Sequence, residues 1–261
     1  MTYSAQYCFG VFFKPILGEF GWTRAVTSGA FSLSMIISGL AGIPMGILND
    51  RVGPRIVLTL CGLLLGVGLL LMSRVTTIWH FYLFYGLVIG IGVGSMVPLV
   101  STVARWFVKR RTFMSGIVVA GTGMGAVIGP PVADRLIAAY DWHLAYIILG
   151  CIVLITIVVS AQFLRRDPSQ KGQVPYGERL ENEQLKPRND DFTVKEAVAS
   201  GQFWLVFGQF ICFGFCLFVI MVHIVPHATD LGISTISAAG ILALIGVVSI
   251  VSKIAMGRVG D

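Results

Sequence analysis

The sequence predicts an all-α membrane protein, and its composition and the spacing of its charges are the observations that predict it. Hydrophobic residues make up 56% of the 261 positions, and the mean hydropathy is +0.83. Charged residues reach only 12%, about half the share of a typical soluble domain. They cluster, so that uncharged stretches of roughly 20 residues, long enough to span a bilayer as helices, alternate with polar breaks. These features exclude a soluble enzyme, a nucleic-acid-binding domain and a disordered chain.

Eight apolar segments follow one another along the chain, and each is expected to form a helix that crosses the bilayer. They cover residues 1–18, 23–47, 55–73, 77–104, 112–134, 143–164, 202–226 and 233–257. One long polar stretch, 165–200, holds seven Lys/Arg, seven Asp/Glu and three prolines, which is the composition of a linker. The chain therefore divides into a six-helix half (1–164), the linker (165–200) and a two-helix part (201–261).

The distribution of basic residues predicts the orientation. The linker, the loops on its side of the membrane and the final residues hold 14 Lys/Arg, whereas the loops on the other side hold three. Basic residues concentrate in cytoplasmic loops. We therefore expect the linker in the cytoplasm and the protein in the plasma membrane, or in the inner membrane of a bacterium. The two remaining basic residues, Lys14 and Lys253, lie inside apolar segments.

The two-helix part repeats the start of the chain at an offset of 211 residues. Seven pairs follow this offset: Pro15/Pro226, Gly21/Gly232, Thr23/Ser234, Gly29/Gly240, Ser38/Ser249, Gly46/Gly257 and Asp50/Asp261. Both copies run in the same direction, as in membrane proteins built from parallel repeats about an axis normal to the bilayer. The register sets Met1 opposite Cys212, the middle of the seventh segment. We therefore expect a first helix that lacks its beginning, in a fragment of a protein of about 12 helices.

The residues between the second and third segments, GILNDRVGPR, resemble the cytoplasmic signature loop of the major facilitator superfamily. Glycine permits a tight turn and a close approach of helices, and the aspartate can cap a helix end and pair with arginines. The signature positions in both copies are Gly46, Asp50, Arg51, Gly53, Arg55, Gly257 and Asp261. The resemblance implies an all-α bundle of that superfamily, with about eight of 12 transmembrane helices present. It implies no catalytic site, metal or cofactor.

Three shorter matches resemble the monocarboxylate transporter family. The Phe12-Phe13-Lys14 run is similar to the end of that family's first helix, and 105–125 is similar to its signature across helices 4 and 5. In the eighth segment the family has an aspartate and, four residues later, a substrate-binding arginine. Ser249 and Lys253 stand at these two positions. Lysine preserves the positive charge but lacks the two-pronged geometry of arginine. Bacterial oxalate/formate antiporters share the basic residue of helix 8.

Charged side chains within a membrane segment are costly and usually have a functional reason. Lys14 shares a helical stripe with Tyr7, and Lys253 shares one with Ser249. If both ammonium groups face one cavity, they form a site for a small organic anion. Histidine as a residue type changes charge near physiological pH, so His223 is a candidate for carrying a proton or donating to a substrate oxygen. The alternatives are that both lysines extend to the headgroups and that His223 is a structural residue near the interface.

Two other glycine patterns resemble known functional motifs only in part. The glycines of 86–94 lie inside an apolar segment with no preceding strand, which favours helix packing over a nucleotide loop. The glycines of 116–130 partly match the helix-5 motif of drug–proton antiporters. Ala133 and Asp134 replace its terminal glycine pair, and Asp134 and Arg135 are expected at the outer interface.

The resemblance, with the two lysines, implies a monomeric secondary transporter, not an enzyme. Its expected partners are a small organic anion, protons and the lipid bilayer, with no nucleic acid. The function favoured is proton symport of a monocarboxylate such as lactate or pyruvate, with Lys253 binding the carboxylate and Lys14 coupling substrate to proton. The alternatives are an oxalate/formate-type exchanger or drug–proton antiporter of the same superfamily, and a non-transporting membrane sensor with a transporter fold.

Overall fold

A computed structural model describes residues 3–168, Tyr176 and residues 194–261. Most of the predicted linker, 169–175 and 177–193, therefore lies outside the described residues. Eight helical elements correspond to the eight predicted segments: α1 (in two pieces, Ser4–Tyr7 and Phe9–Phe20), α2 (Arg24–Val52), α3 (Pro54–Met72), α4 (Ile78–Trp106), α5 (Arg111–Ala139), α6 (Trp142–Gln162), α7 (Gly201–Asp230) and α8 (Thr235–Gly260). A short helix, Val194–Ala199, precedes α7.

Seven of these elements, α2 to α8, are long and apolar enough to cross a membrane. The longer piece of α1 has 12 residues and is too short for this. Within the parts of the chain that are described, the one extended contact is an isolated bridge between Phe107 and Tyr176. The predicted all-α membrane fold is confirmed. The helices α7 and α8 bury the smallest share of their surface inside the bundle.

The α1–α2 and α7–α8 turns have the same local structure. Gly21 ends α1 with a φ of 64°, and Gly232 follows α7 with a φ of 86°, a region that favours glycine. The side chains of Thr23 and Ser234 then cap α2 and α8, each accepting a hydrogen bond from the backbone N–H three residues on, at 3.3 Å. These turns therefore agree with the 211-residue repeat. The two-fold relation between the parallel halves stays a prediction.

The fourth segment is less regular than the single helix predicted for it. Residues Tyr82–Ile89 are π-helical, and α4 is interrupted at Gly94 before Met96–Trp106. Its glycines meet neighbouring helices at close range, as the sequence predicted. A Cβ atom on Gly86 would lie 2.7 Å from the Leu33 side chain of α2. The close packing of α4 against α2 thus depends on glycine, which has no side chain, at this contact.

The helices α5 and α8 touch along their backbones. A Cβ atom on Gly116 of α5 would lie 2.7 Å from the carbonyl oxygen of Lys253, and one on Gly123 would lie 2.8 Å from that of Gly246. Gly257 lies similarly close to the start of α5. Of the α5 glycines that resemble an antiporter motif, Gly116 lies at this contact with α8, whereas Gly125 and Gly129 lie against Ser4 of α1. The contact between α5 and α8 joins the six-helix half to the two-helix part.

Aromatic side chains fill the core of the six-helix half. The rings of Phe12 and Tyr146 stack with centroids 3.9 Å apart, and Phe9 packs against Tyr85 with centroids 4.9 Å apart. All four side chains are almost completely buried. This core holds α1 against α4 and α6, and it fixes which face of α1 is turned towards α7 and α8.

Candidate functional site

A cavity of about 440 Å³, here called the central cavity, lies between α1, α4 and α5 on one side and α7 and α8 on the other. Its lining is mainly aliphatic and aromatic. Its polar side chains are Tyr3, Tyr7, Thr122, Ser249 and Lys253. An apolar pocket of a few hundred Å³ with a few convergent polar groups is typical of small-molecule sites. Lys253 is the one charged side chain among the described residues that line it.

The ammonium group of Lys253 is held at the contact between α8 and α5. Its Nζ donates a hydrogen bond of 2.6 Å to Oγ1 of Thr122. An ammonium group has three donors, so two are available to a ligand. Ser249 lies one turn earlier on α8, and Tyr7 faces the same cavity from α1. The structure thus brings three of the five predicted substrate-binding residues together.

Lys14 is not part of this group. It lines a second cavity of about 230 Å³, here called the end cavity, between α1, α5 and α7. Its Nζ lies 2.8 Å from Oδ1 of Asp230 at the end of α7, and Arg24 lies 3.1 Å from Oδ2 of the same carboxylate. The structure therefore differs from the expectation that Lys14 and Lys253 share one cavity. Lys14 lies seven residues beyond Tyr7, about 10 Å along the helix axis.

Asp134 also lines the end cavity, and its position at the outer interface stays a prediction. The residue is only 8% exposed. The predicted segment ended at residue 134, but α5 continues to Ala139 and carries Asp134 inside the bundle. Arg135 is exposed. Sequence reasoning missed Asp134 as a site residue because an acidic residue at the end of an apolar run resembles an interfacial one.

His223 lies apart from both lysines. It lines a third cavity of about 340 Å³ between α2 and α7, with Phe31, Met35 and Phe218 among its neighbours. Its side chain is exposed. The structure therefore does not place His223 beside Lys253, and its role in binding stays a prediction.

The first copy of the signature loop joins α2 to α4. Oδ1 of Asp50 lies 2.7 Å from Nη2 of Arg105, so its ion-pair partner is on α4 and not the adjacent Arg51. Gly53, with a φ of 85°, makes the turn into α3. Arg55 donates to Oε1 of Gln162 on α6 at 2.8 Å. Gly46 faces Val97 of α4 at ordinary contact distance, and Arg51 is exposed.

The second copy makes a different contact at the same end of the bundle. The carboxylate of Asp261 accepts hydrogen bonds from the backbone N–H groups of Thr112 (2.9 Å) and Phe113 (3.1 Å) in the first turn of α5. These N–H groups have no partner within a helix, and the positive end of the helix dipole favours an anion there. Gly257 packs against the same turn. Asp261 thus ties the end of α8 to the start of α5.

The chain matches a family model described as Major Facilitator Superfamily over residues 1–261. It is 28% identical to monocarboxylate transporter 12 of Rattus norvegicus, over 100% of the chain and 58% of that protein. It is 28% identical to the oxalate:formate antiporter of Oxalobacter formigenes, over 94% of the chain and 55% of that protein, and 26% identical to monocarboxylate transporter 13 of Rattus norvegicus, over 100% and 58%. The chain spans somewhat more than half the length of these curated relatives.

Proposed function

Because this chain belongs to the major facilitator superfamily, we propose that it is part of a secondary transporter that carries a small organic anion. The observation that supports this most is the ammonium group of Lys253 in the central cavity, whose other described lining residues carry no formal charge. Lys253 is partly buried, and a partly desolvated charge without an ion-pair partner is unfavourable in an apolar setting. An anion of opposite charge relieves that cost when it binds.

The single positive charge favours a monoanion over a dianion. A monocarboxylate such as lactate or pyruvate has one carboxylate to accept hydrogen bonds from Lys253, and Tyr7 and Ser249 supply further hydroxyl groups in the same cavity. The aliphatic and aromatic lining suits the short apolar part of such a molecule. The likeness to two monocarboxylate transporters supports the same substrate class.

Transport proceeds by alternating access in this proposal. The substrate binds between the two halves, which rock about it and expose the central cavity to each side in turn. The working unit is a monomer in the plasma membrane, with the 165–200 linker in the cytoplasm. Lys14 couples proton binding to this movement, because its ion pair with Asp230 joins α1 of one half to α7 of the other.

A second candidate is anion exchange without net proton movement. It is favoured by the likeness to an oxalate:formate antiporter and by Ser249, which puts a hydroxyl group that does not titrate one turn from Lys253. In that case Lys253 binds each anion in turn, and reorientation requires that one be bound.

Uptake by the full-length protein of the reading frame that contains these residues tests the proposal. The protein is reconstituted into liposomes and supplied with radiolabelled lactate, pyruvate or oxalate. Symport predicts accumulation driven by an imposed pH gradient, whereas exchange predicts counterflow that persists without one. Transport of hydrophobic cations in place of all three anions, or no transport of any anion, would contradict the proposal and favour a drug antiporter or a sensor.

A further inference from the structure

Asp134 has a carboxyl group that the contacts of the bundle leave unused. It is 8% exposed and faces the end cavity from α5. No described residue forms a hydrogen bond or ion pair with it. A lone carboxylate that is largely shielded from water is costly, so such a group either binds a proton or takes a cation as its partner. Asp134 can bind a proton, and it has a cation within the same cavity.

The available cation is Lys14, which lines the same cavity from α1 and is bound to Asp230 instead. The side chain of Lys14 is 41% exposed, so water can reach the cavity beside it. On α7, the residue that lines this cavity next to Asp230 is Thr229, whose side chain has no titrating group. On α6, Nε2 of His143 lies 3.5 Å from Oε1 of Glu19 of α1.

The other helices that pack on α5 place their charged groups elsewhere. The charged residues of α8, Lys253 and Arg258, lie in its second half, towards the end that carries Asp261. On α5 itself the neighbour Arg135 is exposed. Among the described groups, the carboxylates of Asp134 and Asp230 therefore compete for the ammonium group of Lys14, and Asp230 has a second cation, Arg24 of α2, at 3.1 Å.

The two carboxylates differ in what they hold together. The Lys14–Asp230 pair joins α1 to α7 and so joins the two halves at this end of the bundle. Asp134 lies on α5, in the same half as Lys14, so a Lys14–Asp134 pair makes no such connection. The partner of Lys14 therefore decides whether the ammonium group fastens the two halves here.

We propose that Asp134 is the proton-binding site of this protein. In its protonated form it leaves Lys14 with Asp230, and this end of the bundle stays fastened. Loss of the proton to water restores the carboxylate, which draws Lys14 away from Asp230. This breaks one of the two ion pairs that hold Asp230 of α7 to the six-helix half, and the pair with Arg24 of α2 remains, so α7 is held less tightly. The proton joins one carboxylate oxygen and leaves it again, and no other covalent bond changes. This inference rests on the proposed transport function for its physiological meaning, but proton binding by Asp134 can be measured without transport.

The lining of the central cavity also supports a proton-binding site outside that cavity, at Asp134. Its described lining includes the cation Lys253 and several hydroxyl groups, but no carboxyl group. An anion in the central cavity and a proton in the end cavity are thus held at separate places. Lys14 on α1 lies seven residues from Tyr7, which lines the central cavity, so one helix connects the two places.

The test uses the full-length protein and two matched variants. Asp134→Asn removes the titrating carboxyl group with little change in shape. Asp141→Asn makes the same change at a residue that caps α6 by accepting a hydrogen bond from the Leu144 N–H, and asparagine caps a helix as well as aspartate does. Asp134→Glu keeps a carboxyl group and guards against a folding defect of the amide variant.

The first measurement is infrared difference spectroscopy of the purified protein between acidic and alkaline buffer. We expect a protonated-carboxyl band that is lost in Asp134→Asn, shifted in Asp134→Glu and retained in Asp141→Asn. A band that is intact in Asp134→Asn overturns the proposal. This readout decides the matter even if the unmodified protein transports none of the anions tested, a result that would contradict the proposed function alone.

The second measurement is transport in liposomes that contain a pH indicator. In Asp134→Asn we expect loss of anion-dependent proton uptake, with counterflow retained at an unchanged half-saturating concentration. Asp141→Asn should keep both activities. Anion-dependent proton uptake that is unchanged in Asp134→Asn would overturn the proposal even if the infrared band were lost, because the proton bound there would not be the one that is coupled.

Discussion

Replacement of Lys253 by alanine is the most direct perturbation of the central cavity. Alanine keeps the Cβ atom and the backbone carbonyl that touches Gly116, so the contact between α5 and α8 is retained. The change removes the ammonium group and its 2.6 Å hydrogen bond to Thr122. A loss of anion binding would then report on the charge and not on a disturbed helix contact.

The expected magnitude follows from the bond that a substrate carboxylate would lose. A hydrogen bond to a charged group contributes about 1.5–3 kcal/mol, which corresponds to roughly a 10- to 150-fold rise in the half-saturating concentration. Lys253→Arg should retain much of the affinity, because guanidinium binds a carboxylate with two parallel hydrogen bonds. Thr122→Val serves as the control, since it removes the neutral partner of Lys253 and leaves the positive charge in place.

The assay is uptake of labelled lactate, pyruvate and oxalate by the full-length protein and these variants, matched for the amount in the membrane. We expect Lys253→Ala to raise the half-saturating concentration and Thr122→Val to change it far less. If Lys253 only extends to the headgroups, alanine changes the amount of protein but not its affinity. Equal half-saturation of Lys253→Ala and the unmodified protein for every anion would refute the assignment.

Two further predictions concern the contact between α5 and α8. Gly123→Ala should lower the free energy of unfolding of the full-length protein in detergent by about 1–3 kcal/mol, because the new Cβ would lie 2.8 Å from a carbonyl oxygen of α8. Gly121→Ala, which has open space around its Cβ, should not, and equal losses would contradict the close approach. Asp261→Ala should lower the free energy of unfolding by about 0.5–2 kcal/mol, because the cap on α5 is lost. It should also speed hydrogen exchange at the backbone N–H groups of Thr112 and Phe113. Asp261→Asn should retain most of the protection, and unchanged exchange in Asp261→Ala would show that the cap is not formed in solution.

The sequence was sufficient to locate the seven long helices α2 to α8 because a bilayer imposes a local rule. A membrane helix must be long and apolar over its whole length, so composition alone locates it. The turns at Gly21 and Gly232 could also be predicted from the sequence, because the capping residue, Thr23 or Ser234, follows the glycine by only two positions.

The partners of the charged groups could not be predicted in the same way. Helical periodicity shows which residues share a face with Lys14, but it does not show which other helix that face meets. Asp230 lies 216 positions further along the chain, and no local signal connects the two. The same holds for Asp134, whose burial depends on where α5 ends and on the cavity that α1 and α7 form around it.

The glycine contact between α5 and α8 has a mechanical consequence. Interlocked side chains must separate before two helices can change their crossing angle. At Gly116 the nearest atoms of α8 are backbone atoms of Lys253 and Gly257, so few side chains have to separate there and the helices can tilt about this point at a small energetic cost. Points near such a pivot move least. Lys253 lies on it, so a carboxylate bound there would stay almost stationary while the ends of both helices move several times further.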